Sequence, residues 1–316
     1  MENSIFMWGI FLFILIVLLA LDLGVFHKKD KEMSLGESLK TSMFQISVGL
    51  IFGLWVWLVK GLNSFAEYIT SYLVEKTLSL DNIFVIALIF SSFSIPPKYQ
   101  HRVLFWGIVG VMVLRGIMIA LGAHIISRFE WVLYIFAAFM ILTGIKMFFT
   151  THKQFKISEN RLLIWMKKHF NVTDKLHNQK FFVYQKIDQT GAKKLFVTPL
   201  FLSLVMVEFM DLVFALDSIP AVFSITQDTY IVYTSNIFAI LGLRALYSVL
   251  VSIIDKFYYL KFSLAIVLIF IGSKIFISDA LGFGKIPPIV SLFITLGILA
   301  SGIVFSLNKA KTHAKK

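Results

Sequence analysis

The sequence predicts an all-α, polytopic membrane protein of about nine transmembrane helices with inverted three-helix repeats. Three observations lead there. The 316-residue chain is 58% hydrophobic and only 15% charged, with a mean hydropathy of +0.83, which is more apolar than a soluble core needs. Apolar runs recur from end to end, each close to the roughly 20 residues that a bilayer requires. Charged residues inside those runs also occur twice in the same order and at nearly the same spacing.

The first run, Ile5 to Phe26, has only Glu2 before it and no small-residue cleavage site after it, so it reads as a retained span rather than a signal peptide, with Asp22 at headgroup level. Gln45 to Val59 is the second span. Gly49 and Gly53 give it a small-residue face for close packing, and Trp55 and Trp57 mark an interfacial end. The sequence leaves open whether the stretch through Glu67 is a cap, a turn or the start of the third span. That third span holds Asp81 and Asn82 and ends before Pro96 and Pro97. Val103 to Ala123, with Arg115, and Trp131 to Phe149, with Lys146, follow. The sixth span lies in the apolar segment Leu195 to Ile225. The seventh is Tyr230 to Val251, with Asn236 and Arg244; the eighth is Leu260 to Phe276, with Lys274; the ninth is Ile286 to Leu307. Residues 1–316 thus form a single membrane domain, with 151–194 as a polar cytoplasmic loop between the two repeats and an amphipathic piece at Leu162 to Phe170.

The repeat is legible in short matches. EKTLSLDNIFVI from Glu75 answers DLVFALDSIPAV from Asp211, LRG at Leu114 answers LRA at Leu243, and GIKMF from Gly144 answers GSKIF from Gly272. Arg115 to Lys146 is 31 residues and Arg244 to Lys274 is 30. The two units are offset by three spans, so equivalent helices cross in opposite directions, as in many secondary transporters.

Basic residues give the orientation. Of the 30 Lys and Arg, 22 fall on the side of the long loop and the C-terminus, and four (Lys60, Lys76, Arg128, Lys285) on the other. The positive-inside rule then puts the C-terminus in the cytoplasm and the N-terminus outside. The formal charge of +12 is accounted for by that asymmetry and by attraction to anionic lipid rather than by nucleic acid. No cysteine is present, which excludes disulfides, thiolate ligands and Cys nucleophiles.

Glu208, Asp211 and Asp217 stand in one apolar segment, where a carboxylate needs a counter-charge, a bound cation or water. On an unbroken helix at about 100° per residue, Glu208 and Asp211 lie about 60° apart and Asp211 and Asp217 about 120° apart. Pro220 is therefore expected to break this helix and free carbonyl oxygens beside Asp217. The candidate ligands are Glu75, Asp81, Asn82, Glu208, Asp211, Asp217 and Ser218, with Asn236 and Gln45 as further oxygen donors. Carboxylate and carbonyl oxygens suit Mn2+, Mg2+ or Ca2+ rather than Zn2+ or Cu2+. Arg115, Arg244, Lys146 and Lys274 have two roles open to them: fixed ion pairs, or internal counter-ions that take over an acid when the cation leaves. Proton exchange for metal is chemically available. G-x-S-x-G, H-E-x-x-H and Walker patterns are all absent, and paired acids with nearby arginines fit ion handling better than an aspartyl hydrolase.

VEKTLSLDNIFV from Val74, MVEFMDLVFALDSIPAVF from Met206 and NIFAILGLRALY from Asn236 resemble the defining segments of the TerC/Alx integral membrane protein family. The likeness extends over nearly the whole membrane region. It implies a secondary-type exporter that moves Mn2+ out of the bacterial cytoplasm across the inner membrane, with Asp81 and Asn82 matching the first motif and Glu208, Asp211, Asp217 and Ser218 the second. It also implies kinship with exporters similar to LysE, which have inverted three-helix repeats. No prosthetic group is implied; Mn2+ and H+ would be the partners. Members are associated with tellurite resistance, pH response and, in plastids, membrane-protein assembly, so a stress or assembly scaffold is the alternative.

Overall fold

A computed structural model describes residues 2–24, 35–129, 131–149, 160–173, 175–186, 193–250, 260–280 and 287–313. Among the described residues the elements are α1 (Glu2–Gly24), α2 (Leu35–Lys60), α3 (Leu62–Ser92), α4 (Pro97–Arg128), α5 (Val132–Phe149), α6 (Arg161–His169), β1 (Phe182–Lys186), β2 (Lys193–Val197), α7 (Pro199–Phe223), α8 (Thr229–Ile240), α9 (Leu243–Leu250), α10 (Leu260–Ala280) and α11 (Pro288–His313). The protein is mostly helical. Among the described residues five helices, α2, α4, α5, α7 and α11, are long and apolar enough to cross a membrane, while α1 and α10 carry shorter apolar stretches, Ile5–Leu21 and Phe262–Ile277. Large side chains such as Phe13, Met43, Leu142 and Phe293 stay exposed, as a lipid-facing surface would.

Close packing at glycines sets the helix positions. Gly61, at φ +87°, is the one residue joining α2 to α3, a conformation that glycine adopts without steric cost. A Cβ on Gly49 would meet the Tyr72 ring at 2.9 Å, and one on Gly53 would meet Ile69 at 2.9 Å; the Tyr68 hydroxyl donates to the Gly49 carbonyl at 3.0 Å. The small-residue face read from the sequence is therefore where α3 lies. Glu67 belongs to α3 and accepts a hydrogen bond from Thr226 at 2.7 Å. The helix α2 begins ten residues before the expected Gln45, because Ser38, Thr41 and Ser42 are buried along it and a helix turned inward needs no unbroken apolar run.

A reciprocal contact joins α5 and α10. A Cβ on Gly144 would stand 2.7 Å from both the Ala265 carbonyl and Ile269, and a Cβ on Gly272 would stand 2.5 Å from the Ala137 carbonyl and 2.9 Å from Ile141. Each glycine faces the residues three and seven positions before the other, so the helices run antiparallel. Elsewhere α3 packs on α8, and α7 on α4.

The polar interlude is more structured than a loop with one helix. Asn160 caps α6 by accepting from the Leu162 amide at 2.9 Å, and Leu163 and Met166 are buried with α3, α4 and α7 in one core. Strands β1 and β2 pair antiparallel, Phe182 opposite Val197 and Lys186 opposite Lys193. Leu195 to Val197 is consequently strand, and the sixth span starts at Pro199. Thr198 fixes that start by donating its hydroxyl to the Lys180 carbonyl at 2.8 Å. Residues 151–159 and 187–192 of the interlude lie outside the described residues.

Two expectations are corrected. Helix α7 runs unbroken through Pro220 to Phe223. Proline there stands in the last turn, where it removes one bond to Leu216, and its own carbonyl accepts from the Ser224 amide at 3.0 Å and hydroxyl at 2.9 Å. The interruption falls in the next helical stretch instead: α8 stops at Ile240, Gly242 takes φ +89°, and α9 begins at Leu243. Secondly, Lys76 is not on the outer side; it follows Glu75 inside α3 and is part of the centre described next.

Candidate cation site

Helices α3, α4, α7 and α8 meet around Arg115, which is 1% exposed and is the largest fully buried side chain among the described residues. Its guanidinium lies flat against Asp211, with Nε donating to Oδ2 at 3.1 Å and Nη2 to Oδ1 at 3.0 Å, the two-pronged geometry that favours arginine over lysine. Nη1 pairs with Glu75 and also donates to Asn236 Oδ1 at 3.0 Å and Ser218 Oγ at 3.3 Å. Asn236 turns its amide to Glu75 Oε2 at 3.1 Å, and Asn82 donates to Asp211 Oδ1 at 3.4 Å. One guanidinium thus satisfies a carboxylate from α3 and one from α7, and neutral amides complete both.

The helices fit these groups by their spacing. Glu75 and Asn82 are seven residues apart on α3, two turns, as are Asp211 and Ser218 on α7. Glu208, one turn before Asp211, faces α4 instead: a Cβ on Gly110 would collide with its carboxylate. Glu208 Oε2 is buried and has no hydrogen-bond partner among the described residues. A largely apolar cavity lined by Asn82, Leu104, Gly107, Val207, Asp211 and Leu243, among others, reaches Asp211. Lys76 Nζ donates to the carbonyls of Ala239 at 2.8 Å and Leu241 at 3.1 Å, at the α8–α9 interruption.

Of the candidate residues, Glu75, Asn82, Asp211 and Ser218 therefore come together with Arg115, and Glu208 lies beside them. Asp81, Asp217 and Arg244 stand on α3, α7 and α9; their side chains lie outside the described residues. Lys146 is exposed on α5, and Lys274 is half-buried on α10 in the field of Glu67. Among the described residues no set of three or more His, Asp or Glu groups is arranged to hold a metal ion. Sequence reasoning missed Lys76 and Gly110. An acid and a base side by side inside an apolar helix was the signal for the first; nothing in the sequence marked the second.

The description of the integral membrane protein TerC family matches residues 60–314, from the end of α2 into the final residues of the chain. The chain belongs to that family. The matched stretch contains every residue of the TerC-family cluster just described. An uncharacterized membrane protein of Rickettsia bellii (strain RML369-C) is 51% identical over 300 residues, covering 95% of this chain and 96% of the relative. An uncharacterized membrane protein of Myxococcus xanthus is 44% identical over 98% of this chain and 93% of its own length. The putative membrane-bound redox modulator Alx of Salmonella typhi is 40% identical over 95% of this chain and 93% of the relative. No solved structure matches the chain.

Proposed function

We propose that this TerC-family protein is a secondary-type transporter that exports a divalent cation, Mn2+ before Mg2+ or Ca2+, from the cytoplasm across the bacterial inner membrane in exchange for protons. The observation that carries the reading is the sharing of Arg115 by Glu75 and Asp211, one acid from each repeat. An internal guanidinium occupying carboxylates is what an empty cation site needs, because unpaired buried acids are costly. The formal charges support a divalent cargo. Among the charged residues inside the apolar runs, Glu75, Asp81, Glu208, Asp211 and Asp217 set against Lys76, Arg115 and Arg244 leave −2 over these eight residues. Asp81 and Asp217, each six residues after an arginine-bound acid, are the residues proposed to carry the ion, with Asn82, Ser218 and Glu208 completing an oxygen shell.

The reciprocal glycine contact of α5 and α10 and the crossed packing of α3 with α8 and α7 with α4 support the nine-span, inverted-repeat reading, with α8 and α9 as one interrupted span. The relatives described as redox modulators fit the same proposal: a chain without cysteine would act on redox balance through metal supply rather than through its own thiols.

The test is flux through purified protein in liposomes with an internal indicator, comparing Mn2+, Mg2+, Ca2+ and Zn2+ with and without a pH gradient. Asp81→Asn and Asp217→Asn should abolish Mn2+ flux while leaving the protein in the membrane, because an amide keeps an oxygen but not the charge that offsets a divalent ion. Wild-type protein that moves none of these ions would overturn the exporter in favour of a scaffold. Normal flux in both variants would remove the two aspartates from the path, and flux indifferent to pH would remove proton exchange.

A further inference from the structure

A continuous seventh span would give the carbonyls of Ala239 and Leu241 to the amides four residues on. The turn at Gly242 cancels those bonds, and both oxygens instead accept from Lys76 Nζ, at 2.8 and 3.1 Å. A third oxygen lies beside Gly242. Gln45, on α2 and 6% exposed, has an Oε1 with no hydrogen-bond partner among the described residues, 2.8 Å from where a Cβ on Gly242 would stand. Among the described residues no carboxylate forms an ion pair with Lys76. An ammonium group in the middle of a helix bundle is therefore held by neutral oxygens at the carbonyl end of α8, where the helix dipole is negative.

We propose that the α8–α9 interruption is a monovalent-cation site that the chain fills with its own Lys76 ammonium. Neutral oxygens and a helix C-terminus match one positive charge; a divalent ion asks for carboxylates. Unwound carbonyls of this kind hold monovalent ions at interrupted membrane helices. The ligand class is an alkali-metal ion or a small alkylammonium, and the tether makes the site independent of the medium. Its work is positional: Glu75 and Lys76 are consecutive, so the ammonium that binds the α8 carbonyls holds Asn236 of the same helix against Glu75 and Arg115.

The site is tested without transport, by thermal unfolding of full-length protein in detergent with KCl, NaCl, methylammonium chloride or choline chloride at equal ionic strength. Its outcome therefore does not depend on whether Mn2+ is exported. Wild-type protein should melt at one temperature in all four. Lys76→Ala should melt about 5 °C lower in choline, should regain at least half of that loss in methylammonium or one of the alkali salts, and should lose the rescue when Gln45→Leu is added. Equal melting of Lys76→Ala in all four salts overturns the site. Should Lys76→Ala not accumulate, Lys76→Gln decides, because it keeps an N–H donor without charge: wild-type stability of that variant would mean the oxygens need only a hydrogen bond, and loss of stability would mean they need a cation.

Discussion

Arg115 is the single point on which two opposed carboxylates depend. Removing it leaves Glu75 and Asp211 buried and uncompensated, whereas removing one acid leaves the arginine its other partner. Arg115→Met is accordingly expected to lower stability by roughly 3–5 kcal/mol, and Arg115→Lys by less, since lysine keeps the charge and loses the two-pronged bond to Asp211. Denaturant unfolding of both variants in one detergent checks the order; a methionine variant as stable as wild type would show that the acids find other partners. The acids and Arg115 were legible because a charge inside an apolar run stands out whatever its surroundings. Which acid the arginine would take was not legible, as Glu75 and Asp211 lie 40 and 96 residues from it. Lys76 was assigned to an exposed end for a related reason: the carbonyls that hold it, of Ala239 and Leu241, lie 163 and 165 residues away.

Helix pairs show the same division between what a sequence carries and what only packing decides. GIKMF and GSKIF give α5 and α10 a likeness in sequence, yet do not tell that their glycines are each other's contact surface. Gly144→Ala and Gly272→Ala should each cost about 1–3 kcal/mol through overpacking against backbone. The double variant should cost less than the two together, because one separation of the helices relieves both clashes. Gly9→Ala and Gly297→Ala, with nothing within 4 Å of the new methyl group, serve as controls in the same melting series and should stay within about 0.5 kcal/mol of wild type. The error over Pro220 belongs to this scale as well. Proline removes one helical bond wherever it stands, but near a helix end that bond is dispensable, whereas Gly242 can reverse the backbone in mid-span. Strands β1 and β2 escaped notice because five-residue strands rich in lysine carry neither helical nor membrane periodicity.

For the molecule as a whole, moving Lys76 into the bundle sharpens the charge asymmetry: Lys60, Arg128 and Lys285 alone remain to set against 22 basic residues. A reporter fused after Lys316 should be active in the cytoplasm and a tag ahead of Met1 accessible from outside; both termini reporting from the periplasmic side would require an even number of spans. The end that carries the interlude would then be cytoplasmic. The spread of the central cluster along the chain has a further consequence for how the protein is made. Glu75 precedes Arg115 by 40 residues, so the ribosome delivers an acid and its base within the first half of the chain, which can enter the bilayer nearly neutral at that point. Asp211 follows 96 residues later, roughly 5–20 s at ordinary rates of synthesis. Through that interval the guanidinium has one partner, and the arrival of α7 closes the second side of a half that is already in place.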